Sequence, residues 1–162
     1  MVKQTRHVLI GLDGSDCSKH ALKWALDNVV RDKDLLFLVI AFQPQLVPLA
    51  LGPDMEVQFT NPPDNEIEKM MSQCNDYLEQ IGTEVIGERS IEYKLLSLQG
   101  DPRDVFPAVC DKEQIDMVVV GSRGMGAIKR LLVGSVSDAL VHNLKVPVTV
   151  VHPPETNEAK QM

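Results

Sequence analysis

The chain has 162 residues, 44% of them hydrophobic and 24% charged, which is enough for one domain with a sizeable core. Its net charge of −7 argues against a general nucleic-acid or anionic-membrane surface, although backbone N–H groups can still hold a small anion. No apolar run approaches membrane-spanning length, and three widely spaced cysteines without a CxxC pair point to free thiols and a cytoplasmic setting.

The first predicted element is a buried strand, His7–Gly11, followed by the turn Leu12-Asp13-Gly14-Ser15. An acidic residue at a strand C-terminus can meet a ribose or a Mg²⁺ carried with phosphates, or it can simply organise the turn into a helix. Helix Ser18–Val30 places Ala21, Leu22, Ala25, Leu26 and Val29 on one stripe. Strand Leu35–Phe42 comes next. The segment Gln43–Pro63, with five prolines, reads as a long loop leaving the C-terminal end of that strand, where it would overhang a ligand. Helix Asp64–Glu88 and a more mixed strand, Ile91–Leu98, follow.

Asp101-Pro102 is a good N-cap and first-position pair for a helix to about Glu113, with a kink expected at Pro107. Ile115–Val120 is a further strand. After it comes GSRGMGAIKRLLVGSVSDAL, Gly121 to Leu140, and helix Ser135–Leu144, whose Ser135 and Asp138 have capping-box spacing. Strand Val146–His152 and a flexible tail, 153–162, end the chain, so that residues 1–152 form one domain. Five strands alternating with four helices predict a parallel α/β sheet covered on both faces, with ligands beyond the strand C-termini.

The glycine spacing Gly121-x2-Gly124-x9-Gly134-Ser135 has a physical use. Glycines let the backbone turn and approach a ligand, and the N–H groups of Ser135, Val136 and Ser137 open a helix at its positive end. Arg123, Lys129 and Arg130 add charge nearby. A loop that only turns and caps a helix would have the same composition. It is neither a Walker A loop, since Ala127-Ile128 stands where Lys-Ser/Thr is required, nor a G-x-G-x-x-G fingerprint.

Together with Gly100-Asp101-Pro102-Arg103, and from Val8–Ser15 to Val146–Val151, these residues give the chain a resemblance to the ATP-binding subgroup of the universal stress protein family. The resemblance implies a Rossmann-like open sheet of five parallel strands in the order 3-2-1-4-5. It also implies a homodimer paired through the last strand, Val146–Val151, and ATP across the ends of the first and fourth strands. Leu12 and Asp13 would lie by the nucleotide, Asp13 toward the ribose or its Mg²⁺. Ala41 would offer its backbone to adenine and Val120 would flank the base. Gly121, Gly124, Gly134, Ser135 and Val136 would hold ribose and phosphates. Arg123 and Ser137 are added from their positions.

A pyrophosphatase-type S-G-G-x-D-S loop is excluded, because Asp16 would place like charge against a pyrophosphate. His20 and His142 sit within helices and Ser135 lacks triad partners, so no residue stands out to orient an attacking water. The expected role is therefore nucleotide-dependent sensing of ATP, or of ADP or AMP, with at most slow hydrolysis and no catalytic residues. The alternative is a dimeric scaffold of the same fold that binds no nucleotide. Cys17 near a helix N-terminus is a weaker redox candidate, opposed by Asp16. The four histidines show no i, i+4 pair and no cysteine at ligand spacing, which argues against structural zinc.

Overall fold

The Val/Ile/Leu runs do become strands; those at His7–Leu12, Leu35–Phe42 and Met117–Gly121 bury both of their faces, while Glu92–Gln99 stays partly exposed. The structure, a computed structural model, describes residues 5–49, 57–87, 89–122 and 134–153. Arg123, Gly124, the basic residues Lys129 and Arg130 and all but the first residue of the expected tail lie outside that set. In chain order the elements are β1 (His7–Leu12), α1 (Asp16–Asn28), β2 (Leu35–Phe42), β3 (Val47–Leu49), β4 (Gln58–Thr60) and α2 (Asp64–Ile81). After a π-helical turn (Gly82–Ile86) come β5 (Glu92–Gln99), α3 (Pro102–Lys112), β6 (Met117–Gly121), α4 (Ser135–Asn143) and β7 (Val148–Val151).

Five strands form one sheet in the order β5-β2-β1-β6-β7, all neighbours parallel. Leaving out the small hairpin β3–β4, this is the expected order 3-2-1-4-5. The period-2 alternation of side chains divides the core in two. Val8, Ile10 and Leu12 of β1 and Leu36, Leu38 and Ile40 of β2 meet α1 and the end of α2 on one face. Leu9, Phe37, Val39, Val118 and Val120 meet Phe106 and Val109 of α3 and Leu140 of α4 on the other. Gly11 sits under α3, because a Cβ there would lie 2.7 Å from the Phe106 ring.

At the lower end of the sheet Asp34 is almost fully buried, and its carboxylate ties three segments together. It accepts from Arg6 Nε at 3.1 Å and from Arg31 N at 2.8 Å, while Arg6 also donates to Val29 O. Hydrogen bonding to Asp34 holds the Arg6 guanidinium above its ordinary pKa.

Several local expectations change. The segment Gln43–Pro63 is not wholly a loop: Val47–Leu49 pairs antiparallel with Gln58–Thr60, with Pro48 opposite Phe59. Helix α2 stops at Ile81, and the chain passes through the π turn to Gly87, whose φ of 55° ends helical winding. Helix α3 runs through Pro107 without interruption. The capping box at Ser135 does not form. Gly134, extended at φ −77° and ψ 158°, is the N-cap, so Ser135 already lies inside α4.

The Asp101 cap is as expected. Its carboxylate accepts from Arg103 Nε at 2.9 Å and from Arg103 N at 2.8 Å, and these two bonds, the side-chain one larger, draw its pKa from 3.8 to about 2. A depressed folded pKa means stability that is present above 3.8 and lost as pH falls toward 2. Asp101→Ala is therefore expected to cost about 1 kcal/mol at neutral pH, with the deficit shrinking over that window. Urea unfolding at pH 7 and pH 2.5 checks it. A deficit of equal size at both pH values would count against the cap.

Candidate functional site

The sheet order places β1 between its first neighbour in sequence, β2, and its late neighbour, β6. The point where the chain reverses its winding lies between β1 and β6, and in open sheets of this kind ligands bind beyond the strand C-termini at that point. The β1–β6 ladder runs to Ile10↔Val119, so two residues further Leu12 stands beside Gly121. The β1–β2 ladder ends at Leu12↔Ile40, whereas β2–β5 continues to Phe42↔Gln99. Ala41 thus stands one residue beyond the last β1 pair. Leu12, Ala41, Val120 and Gly121 are brought to one edge, with Leu12 and Val120 buried.

On the β1 side Asp13 builds the turn. Its Oδ1 accepts from Ser15 N at 3.0 Å and from Ser15 Oγ at 2.6 Å. Gly14 has φ +82°, a conformation that favours glycine, and a Cβ there would meet nothing within 4 Å. Ser15 caps α1 by accepting from Ser18 N at 3.2 Å, and Ser18 Oγ donates back to Ser15 O at 2.9 Å. Of the two roles open to Asp13, organising the turn is the one these bonds display.

Tyr77 of α2 is half-buried against the core on this side of the sheet, and burial raises its phenol pKa. Tyr77 was missed, because a tyrosine within the predicted helix Asp64–Glu88 carries no signal that separates it from ordinary packing. Ser122 was missed as well. It is fully buried, donates its N–H to Val151 O at 2.8 Å, and its carbonyl accepts from Gly134 N at 2.5 Å. This clasp seats the start of α4 against the end of β6.

The Ser137 hydroxyl supports the same clasp, 3.0 Å from Gly134 O and 3.3 Å from Ser122 O, and the residue is buried. Its side chain is therefore used internally, leaving its N–H as what it can offer a ligand. The first intrahelical bond of α4 is Asp138 N to Gly134 O, and no described side chain caps the helix. The N–H groups of Ser135, Val136 and Ser137 thus lack i−4 partners within the helix, at its positive end.

Gly121 has a reason of its own. A Cβ there would lie 2.9 Å from Cys17 Sγ and 3.1 Å from both C and O of Cys17. Glycine at this position lets the first turn of α1 pack on β6. Among the described residues no group of three or more His, Cys, Asp or Glu could hold a metal ion, and no described helix is long and apolar enough to cross a membrane.

An open parallel sheet with an acidic turn and a helix start on either side of its reversal point defines a doubly wound α/β domain. Residues 4–152 match the family model described as "Universal stress protein family", and the chain belongs to that family. A universal stress protein of Mycolicibacterium smegmatis is 31% identical over 148 residues, covering 90% of this chain and 47% of that protein. The chain spans about half the length of the mycobacterial relatives it matches. A family member from Arabidopsis thaliana solved with AMP bound has a TM-score of 0.61 at 19% identity, covering 95% of this chain and 94% of that one. A universal stress protein solved in complex with cAMP has a TM-score of 0.53 at 23% identity, covering 91% and 96%.

Proposed function

We propose that this universal stress protein domain binds an adenine nucleotide, ATP with Mg²⁺ in the first instance, and acts as a nucleotide-dependent sensor in the stress response. The observation that carries the reading is the start of α4, without a side-chain cap among the described residues and seated against β6 by the Gly134–Ser122 bond. Backbone donors there suit phosphate oxygens without any side-chain cation. That two solved relatives were found with AMP and with cAMP supports an adenine nucleotide.

In this reading Ala41 offers its backbone to adenine, Val120 flanks the base and Leu12 lies by the nucleotide. Asp13 faces the ribose or the nucleotide's Mg²⁺. Gly121, Gly134, Ser135, Val136 and Ser137 hold ribose and phosphates through their backbone. Arg123 and Gly124 are assigned to the same loop from the sequence alone. The domain is, in this reading, a sensor with at most slow ATP hydrolysis.

The domain is further proposed to act in the cytoplasm as a homodimer. β7 is an edge strand of the sheet, and its segment Val146–Val151 would pair with its copy. Val150→Lys is expected to shift the sedimentation mass to that of a monomer.

Calorimetric titration with ATP, ADP, AMP and cAMP tests the ligand. Micromolar binding of ATP with Mg²⁺, weakened roughly tenfold or more by Gly134→Pro, which removes the clasp donor, is expected. Absence of heat with every nucleotide would favour a second reading, a scaffold without nucleotide. The packing of Gly121 against Cys17 speaks for that alternative, since it explains one glycine with no ligand.

A further inference from the structure

Helix α2 has 18 residues, yet only Leu78 and Ile81 in its last turn are buried. Its first ten residues, Asp64–Gln73, belong to neither core cluster, and Cys74 is the first to pack against one. Met71 is 39% exposed, and the half-buried Ile67 and Met70 pack against neither cluster. Immediately before it in sequence the β3–β4 hairpin exposes Leu46, Leu49, Val57 and Phe59, by 44–65%. Large apolar side chains concentrated in one stretch mark an interaction surface rather than ordinary surface scatter.

Charge says what kind of partner fits. Helix α2 carries five exposed carboxylates, Asp64, Glu66, Glu68, Asp76 and Glu79, against the single cation Lys69. Asp64 and Glu66 suit the positive helix start, but Asp76 and Glu79 stand in the C-terminal half, where they oppose the macrodipole and no basic residue offsets them. The described hairpin residues carry no charge at all. A second copy would bring the same carboxylates face to face, which is repulsive. An added β-strand is poorly served too, since each hairpin strand has only three residues and β3 contains Pro48, which has no N–H.

We propose that the hairpin and the first three turns of α2 dock an amphipathic helix of a partner protein, with an apolar stripe and basic flanks. The adjacent methionines Met70 and Met71 give this face the adaptable packing that such docking uses.

The probe is a fluorescein-labelled 14-residue leucine–lysine peptide of helical spacing, with its leucine–glutamate counterpart as control, read by anisotropy and by amide shift mapping. The lysine peptide is expected to bind, with shifts at Val57–Thr60 and along Asp64–Asp76. Phe59→Ser should weaken it roughly tenfold while leaving the unfolding midpoint unchanged, because Phe59 is 65% exposed. Met71→Lys should weaken it further by like charge. Equal binding of the glutamate peptide, unchanged binding by both variants, or shifts confined to other parts of the domain would overturn the proposal. So would self-association abolished by Phe59→Ser, which would make a second copy the occupant.

Discussion

Asp34→Ala is expected to lower the unfolding free energy by about 3 kcal/mol, the low end of the range for breaking one side of a buried ion pair. The low end applies because Arg6 retains 28% exposure and can recover some water when its partner is lost. The cost has two sources. Arg6 loses the anion that holds it at the mouth of the sheet, and Arg31 N loses the acceptor that closes the turn into β2. Arg6→Ala should cost at least as much, because it leaves the buried Asp34 carboxylate with the Arg31 N–H but no cation. The double variant should cost less than the sum of the two, by the coupling energy of the pair. Urea unfolding of the four proteins measures this. A loss below about 1 kcal/mol for Asp34→Ala would show that the pair is no more than surface decoration.

The second large effect lies at the proposed site. Gly121→Ala places a methyl group 2.9 Å from Cys17 Sγ and 3.1 Å from the Cys17 carbonyl. The thiol can rotate away, but the carbonyl belongs to a helix turn fixed by Ser15 and Ser18. The expected cost is about 1–3 kcal/mol, the usual range for overpacking. Helix α1 must also shift against β6, spreading the Asp13 turn from the start of α4. Nucleotide affinity, on the reading proposed above, should fall roughly tenfold or more. Adding Cys17→Ala should recover part of the stability and not all of it. Wild-type stability of Gly121→Ala alone would show that this packing is loose.

The alternation of strands and helices was legible because parallel strands buried on both faces must be continuous apolar runs, and this chain has few aromatics to blur them. The Asp101-Pro102 cap was legible because both residues act within one turn of where they stand. What escaped depended on backbone angles or on distant neighbours. Spacing put Ser135 at the head of α4, but the extended conformation of Gly134 moves the cap back by one residue. The hairpin was hidden by Pro48 and its neighbouring prolines, which argue against a strand unless the partner Gln58–Thr60 is known. Gly121 was read as making room for a ligand, and the structure shows it making room for Cys17, 104 residues earlier in the chain. Ser122 gave no signal, since a serine after a strand is common and its clasp with Gly134 is tertiary.

The position of β1 also constrains how the domain comes into being. It is the first strand to be made and it lies at the centre of the finished sheet, with Val8 paired to Leu36 on one side and to Met117 on the other. At a synthesis rate of about 5–20 residues per second, the second of those partners follows Val8 on the order of 5–20 seconds later. Through that interval one backbone edge of β1 is without its ladder, and Leu9 and Phe37 wait for α3 to cover them. Folding during translation therefore starts on the α1–α2 side of the sheet and finishes on the α3–α4 side. The central strand is begun first and completed among the last.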